Sequence, residues 1–463
     1  FLPIGTYGGY NVFKGNISGK QADGTYTNTE VANLRILTSG TNHAFAGLFA
    51  RAESAEISYI TVSGDMRAYA TNADGHSAVG GIVADSSGDT IIDHCNAGSG
   101  SAARELKVFA YGKQSAYDEN NVSALHTYAG GIVGVATTSF YKNKAHVYES
   151  GTASIIRNCE VVNATVMSVK NNIGGIVGYV DGQAGAKGMN NKLEITGNTV
   201  TKAKLTAIAS DSTISDVGTK VGGILGYSDQ YVAVIVSGCT VGTNSATKSV
   251  TIKGENAIGG IVGALPSNIN EIKDCFVLQS TFIERGKWGV VENVKDASGD
   301  SFNGYGTAIG GIIGYAAFDT TDNTGMSVTT TISGNIVFNG NIIIAQPTNK
   351  GTGSNANNSQ DGVVRNVGGV FGDMTSGASF ATGANIKVNG TITVSDTINE
   401  VRNIGGVAGR TKDVAFSGIF EVGVNIVVPK AYNVGGFIGS NSGVVNVLSD
   451  NTTIRIGAHL SGA

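Results

Sequence analysis

The chain has 463 residues, among them 68 Gly and only 4 Pro; 14% are charged and the formal net charge is -4. Nothing in that balance calls for a nucleic acid or an anionic membrane surface as partner. There is no Gly-X-Y period, which excludes collagen, and no run of about 18 apolar residues that would cross a bilayer as a helix.

So few charges leave Ser, Thr, Asn and Gly to build the surface. The chain opens at Phe1 without a Met or a basic-then-apolar leader, so a removed leader or a fragment is expected. Residues 1–43 carry the strand-like "NVFKGNIS" and "VANLRIL" and are expected to form an N-terminal capping coil. Residues 44–463 repeat one motif. A weak copy, "AFAGLFAR" at 44, precedes "AVGGIVAD" at 78, "YAGGIVGV" at 128, "NIGGIVGYV" at 172, "KVGGILGY" at 220 and "AIGGIVGA" at 257. "AIGGIIGY" at 308, "NVGGVFGD" at 366, "NIGGVAGR" at 403 and "NVGGFIGS" at 433 complete the series. Length alone suggests two or three domains, but a repeat grows without splitting into separate cores.

The first glycines of the pairs are 30 to 58 residues apart, and the shortest interval, 405 to 435, is the unit without insertions. It holds three short strands and three turns. The first strand is the glycine motif. The second has the form apolar-x-x-Cys/Asn-x-apolar, as in "IIDHCNA" at 91, "IIRNCEV" at 155 and "EITGNTV" at 194. The third is rich in Thr, Ile and Val, as in "ATVMSV" at 164 and "TITV" at 391. No window has a sustained helical period. The economical arrangement is all-β: a right-handed parallel β-helix with about three strands per coil and about ten coils, a rod of roughly 48 Å at ~4.8 Å per coil. After "NTTIRIGAHLSGA" at 451 either more solenoid or another chain is expected to continue the stack.

Stacking turns every repeat position into a column. The glycine column serves a tight corner, through close backbone approach or a positive φ. Ile132, Ile176 and Ile224 form a dry seam beside it. Ile173, Ile258, Ile309 and Val434 add a second apolar column, which either turns inward at the corner or lies exposed as a stripe.

All four cysteines, Cys95, Cys159, Cys239 and Cys275, share one position, taken elsewhere by Asn198 or Asn335. Metal-binding cysteines come in close local pairs, and none occurs here. The expectation is an inward column of inert thiols with Asn amides bonding along the stack. Bridges Cys95–Cys159 and Cys239–Cys275 are the alternative that stacking permits.

A β-helix enzyme needs two or three carboxylates, or a carboxylate with a basic partner, on neighbouring coils. The columns around the Cys/Asn position and after the glycines place no two acids on adjacent turns. Asp93 over Arg157 is expected as a surface ion pair worth well under ~1 kcal/mol. The six histidines are scattered in sequence, and no Gly-x-Ser-x-Gly, P-loop or calcium nonapeptide is present. No catalytic, metal or cofactor-binding residue is assigned. Tyr179 and Tyr227 stack on adjacent turns, as a rigid ladder or as a platform for sugar. The excursions at 111–128, 137–153, 181–191, 209–220, 284–307 and 345–365 are turn insertions of the kind that carry binding. Residues 282–308, with the only tryptophan, Trp288, are the best candidate contact surface among them.

The nine Gly-Gly copies, "FAGLFA" at 45, "GNISG" at 15 and "NLRI" at 33 resemble bacterial surface proteins that carry the GLUG motif, a repeat also found in some IgA-cleaving metallopeptidases. The motif's usual Leu is mostly Ile here. The resemblance implies a secreted or cell-surface β-solenoid, often an adhesin or stalk. The peptidases' His-Glu-x-x-His is absent, so no catalytic residue carries over. The expected function is non-catalytic: mechanical spacing and adhesion outside the cell, through turn loops and solenoid faces. Its partner would be a host or neighbouring-cell surface protein or glycan, or copies of itself. A self-assembling fibre subunit and a polysaccharide-active β-helix enzyme are the alternatives.

Overall fold

Each glycine pair lies at the junction of two strands. In the computed structural model, Asn171–Gly174 is one strand, Gly175 and Ile176 make the turn, and Val177–Asp181 is the next. Ten strands that lead into the glycines, from His43–Ala46 to Tyr432–Gly435, form one parallel sheet, here the lead sheet. Ten that leave them, from Phe49–Glu53 to Ile438–Asn441, form a second, the exit sheet. The rest of every coil belongs to a third, broad sheet. The coil is thus a parallel β-helix with three walls, as expected, but the walls are divided differently. The glycine motif spans two of them, and the Cys/Asn and Thr-rich segments share one. The structure describes residue 4 and most of residues 12–461; left out are 20–24, 26, 73–74, 113–125, 143–144, 170, 183–189, 209–218, 230, 255, 266–269, 286–307, 317–328, 345–362, 375–377, 396–399, 430 and 448–451.

Equivalent residues sit in register. Gly80 pairs with Gly130, Gly130 with Gly174, and Gly174 with Gly222. The column runs on through Gly259, Gly310, Gly368 and Gly405 to Gly435. The copy at residue 44 has one corner residue fewer, because Ala46 aligns with Val79 while Phe49 already aligns with Val83. Asn16–Ser18 and Thr29–Gly40 pair with Glu56–Ser58 and Ile60–Ala70, so they lie against the first coil.

Close approach, rather than φ, demands glycine at the corner. A Cβ on Gly174 would lie 1.8 Å from the Val177 carbonyl oxygen, and one on Gly175 would lie 2.1 Å from that of Gly223. Positive φ falls instead on the residue two before the pair, as at Asn172 (60°), Asn366 (56°), Asn403 (59°) and Asn433 (59°). It also falls on the residue before the Cys/Asn position: His94, Asn158, Gly197, Gly238, Asp274 and Gly334 have φ between 49° and 65°. Asn, Asp and Gly tolerate that conformation best, which accounts for their recurrence in both columns. The left-handed residue kinks the chain without taking it out of the broad sheet.

Both apolar columns beside the glycines face the core. Ile132, Ile176, Ile224 and Ile261 are fully buried, as are Ile173, Val221, Ile258 and Ile309. The second column therefore turns inward, except at Val434 in the last described coil, which is 37% exposed.

Candidate functional site

The cysteine column is as inert as its neighbours suggest. Cys95, Cys159, Cys239 and Cys275 are buried free thiols. Cys159 Sγ lies 3.2 Å from the Arg157 carbonyl, and Cys275 Sγ lies 3.3 Å from that of Lys273. Burial pushes the Cys239 thiol up to about 11 and also raises those of Cys159 and Cys275 well above the ordinary thiol value. Asn198 bridges coils from the same column: its Oδ1 accepts from Cys159 N at 2.9 Å and its Nδ2 donates to Ile156 O at 2.9 Å. Asn335 does not belong to the column. The ladder slips between Lys273 and Cys275, so Ile336 lies against Cys275 and Asn335 is exposed.

Asp93 and Arg157 are in register, with Nη2 and Oδ2 2.9 Å apart. Asn158 Nδ2 donates to the other oxygen at 3.2 Å. Burial opposes ionisation of Asp93, but the hydrogen bonds from Arg157 and Asn158 outweigh it and lower its pKa.

The tyrosine pair is part of a longer ladder. Tyr128, from the lead sheet, stacks on Tyr179 at 4.6 Å and 11°, and Tyr179 stacks on Tyr227 at 5.7 Å and 19°. The Lys220 ammonium lies 4.1 Å from the Tyr227 ring centre, and Tyr179 Oη donates to Asp229 at 2.9 Å. The facing surfaces of Tyr128, Tyr179 and Tyr227 are spent on each other and Lys220 lies over Tyr227, the arrangement of a rigid ladder.

The histidines, far apart in sequence, meet in space. His43, His76 and His126 are in register, with rings 5.2 Å and 4.2 Å apart. Each stands four residues before the first glycine of its copy, a signal that only a column-wise reading exposes. The His76 and His126 rings stack within 8° of parallel and the His43 ring tilts 30° from His76, and no group of three metal-ligating side chains occurs among the described residues. Asp181 and Asp229 also lie on adjacent coils, each directly after the registered pair Val180–Ser228. This pair lies two residues beyond the column after the glycines, in which no two acids stand on adjacent coils.

A concavity lies on the outer face of the broad sheet, near its N-terminal end. It begins with a β-bulge: the ladder between Thr29–Gly40 and Ile60–Ala70 slips between Val31 and Leu34, and Asn33 takes φ 54°. Gly64, opposite, has φ 137°, and a Cβ there would lie 2.0 Å from Leu34 O. A short 3-10 turn, Ala102–Arg104, walls one side. The resulting cavity, about 360 Å³, is lined by Asn33, Arg35, Asp65, Glu105 and Lys107, among others.

Its charges alternate along the stack. Arg35 registers with Asp65, and Asp65 with Lys107. Arg67 holds Asp65 through two hydrogen bonds of 2.7 Å. Glu105 accepts from Thr165 Oγ1 at 3.0 Å and lies 3.4 Å from Lys107 Nζ. Arg35 is exposed and makes no ion pair among the described residues. Leu37, two residues along the strand, is 72% exposed, and Tyr69, in register with Ser39, is 40% exposed. The Arg67 guanidinium lies 4.9 Å from the Phe109 ring centre. Asp65 and Glu105 thus form a second acid pair on neighbouring coils, offset along the strand by two residues, where a search straight down a column misses it.

No family model, curated protein or solved structure matches the chain. The candidate loop at 282–308 lies mostly outside the described residues, Trp288 included, as do most of 111–128 and 345–365. Within 137–153 the excursion is an antiparallel hairpin, Ser139–Lys142 with Ala145–Tyr148.

Proposed function

We propose that the chain is a non-catalytic, extracellular structural and adhesive β-solenoid, a cell-surface stalk or adhesin of the GLUG-motif kind. The observation that carries this reading is the unbroken register of the glycine column from Gly80 to Gly435. A stack in which each coil is hydrogen-bonded to the next in all three walls is stiff along its axis and presents wide outer faces. Low charge, abundant Thr, Asn and Gly, and the motif's resemblance support a place outside the cell. The partner is a surface protein or glycan of a host or neighbouring cell, or a second copy of the chain. An enzymatic reading is weaker, because Asp65 and Glu105 are already engaged by Arg67, Lys107 and Thr165.

Antibody labelling of intact cells that express the protein tests location, and beads coated with the purified chain test adhesion. Surface labelling together with bead capture is expected. Labelling only after the cells are permeabilised overturns the reading. Concentration-dependent filaments in electron micrographs would instead favour the self-assembling fibre.

A further inference from the structure

We propose that the concavity at Arg35 binds an acidic polysaccharide, with the sugar's carboxylate on the Arg35 guanidinium. Flat parallel sheets have no hollows of their own, and this one needs three cooperating departures. They are the bulge at Asn33, the glycine at 64 and the 3-10 turn at 102–104. Bulges serve to re-aim side chains, and they gather at sites of function. The hollow, about 360 Å³, is shallow and open along the sheet, a shape that suits an extended chain rather than an enclosed small molecule.

The chemistry of the lining selects the ligand. Arg67, which stands beside the hollow rather than in its lining, matches Asp65, and Lys107 matches Glu105; counted with Arg67, the otherwise neutral lining has Arg35 as its surplus positive charge. A guanidinium fork pairs with a carboxylate through two parallel hydrogen bonds. Asn33 and Lys107 offer donors; Asp65 and Glu105 offer acceptors. A ligand must therefore bring one negative charge, flanked by groups that both donate and accept. A uronic acid residue does so with its carboxylate and hydroxyls. A run of acidic side chains does not, because its closely spaced charges would meet Asp65 and Glu105. Leu37 provides apolar surface for the C–H face of the next sugar.

This inference deepens the adhesive reading and rests on it. The test nevertheless uses the purified chain alone, so failure to bind here is separable from failure of surface labelling. Titration calorimetry with hyaluronan oligosaccharides, in which each uronic acid is separated from the next by a neutral sugar, is expected to show binding that weakens as salt rises. Arg35→Ala is expected to weaken it about tenfold or more, whereas Lys387→Ala, on a distant coil, leaves it unchanged. Arg35→Lys should recover only part, since an ammonium lacks the fork. Arg35 is exposed, so the variants should keep the parent's melting curve. Neutral dextran and polyglutamate should not bind. No binding of the hyaluronan oligosaccharides, equal binding by Arg35→Ala, equal binding of polyglutamate, or preference for dextran sulfate would each overturn the assignment.

Discussion

Replacing Gly174 by Ala tests the corner directly. The added methyl would lie 1.8 Å from the Val177 oxygen and within 2.7 Å of the Ile224 oxygen in the next coil. Real Cβ contacts essentially never fall under 3.0 Å, so the strand after the corner must retreat by about 1.2 Å. Both obstacles are backbone, and neither can rotate away. The retreat strains the bonds through which Gly131 N reaches Gly174 O and Gly175 O, at 3.3 and 3.0 Å. Overpacking of a well-packed interior costs about 1–3 kcal/mol, and an immovable obstacle belongs at or above the upper end, so a loss of about 3 kcal/mol is expected. Gly100→Ala is the control, since its Cβ meets nothing within 4 Å; it should be neutral or stabilising by less than ~1 kcal/mol. Urea denaturation gives both values, and hydrogen exchange should show the loss centred on the coils around residue 174. If Gly174→Ala unfolds at the parent's urea midpoint, or no earlier than Gly100→Ala, the close-approach argument is wrong.

Asn198→Ala should cost about 1–3 kcal/mol in the same assay, because two coils lose their bridge at Cys159 N and Ile156 O; Asn335→Ala, on an exposed side chain, should cost less than ~0.5 kcal/mol. The four thiols should resist a disulfide reagent at pH 8 until denaturant is added, since burial raises those of Cys159, Cys239 and Cys275; rapid labelling of the native chain would refute their inward placement. Asp93 has a lowered folded pKa, so its stabilisation is present above the unfolded value of about 4 and is lost as pH falls through the folded one. Asp93→Asn should therefore destabilise the chain at pH 7, by less than ~1 kcal/mol, and the deficit should shrink as pH falls below about 4. A deficit that does not change over that range would show that the Arg157 pair carries no proton linkage.

Stacking was legible because the same side-chain types recur at one offset from each glycine pair: Ile132, Ile176 and Ile224 could not otherwise share a seam. The division of the walls was not. A Gly-Gly pair fits a strand or a corner equally well until the obstacle at Val177 O is seen. Asn335 was misplaced because a bulge leaves composition unchanged while shifting register by one. The His43, His76 and His126 stack escaped a search along the chain, although an offset of four from each first glycine was open to view. The hollow at Arg35 was hidden for a deeper reason. Its acids lie on neighbouring coils but two positions apart, and the bulge that opens it is marked in sequence only by Asn33 and Gly64.

Distances between spin labels test most directly whether each copy of the motif adds one coil to a single stack. Lys204 is five registered steps from Asn425, by way of Thr251, Phe282, Asn341 and Thr391. Lys107 is two steps further, through Thr165. At ~4.8 Å per step, double electron–electron resonance should give about 24 Å for labels at 204 and 425 and about 34 Å for labels at 107 and 425. Two separations that fail to grow with the number of intervening copies, or a broad distribution centred on neither, would contradict the stack.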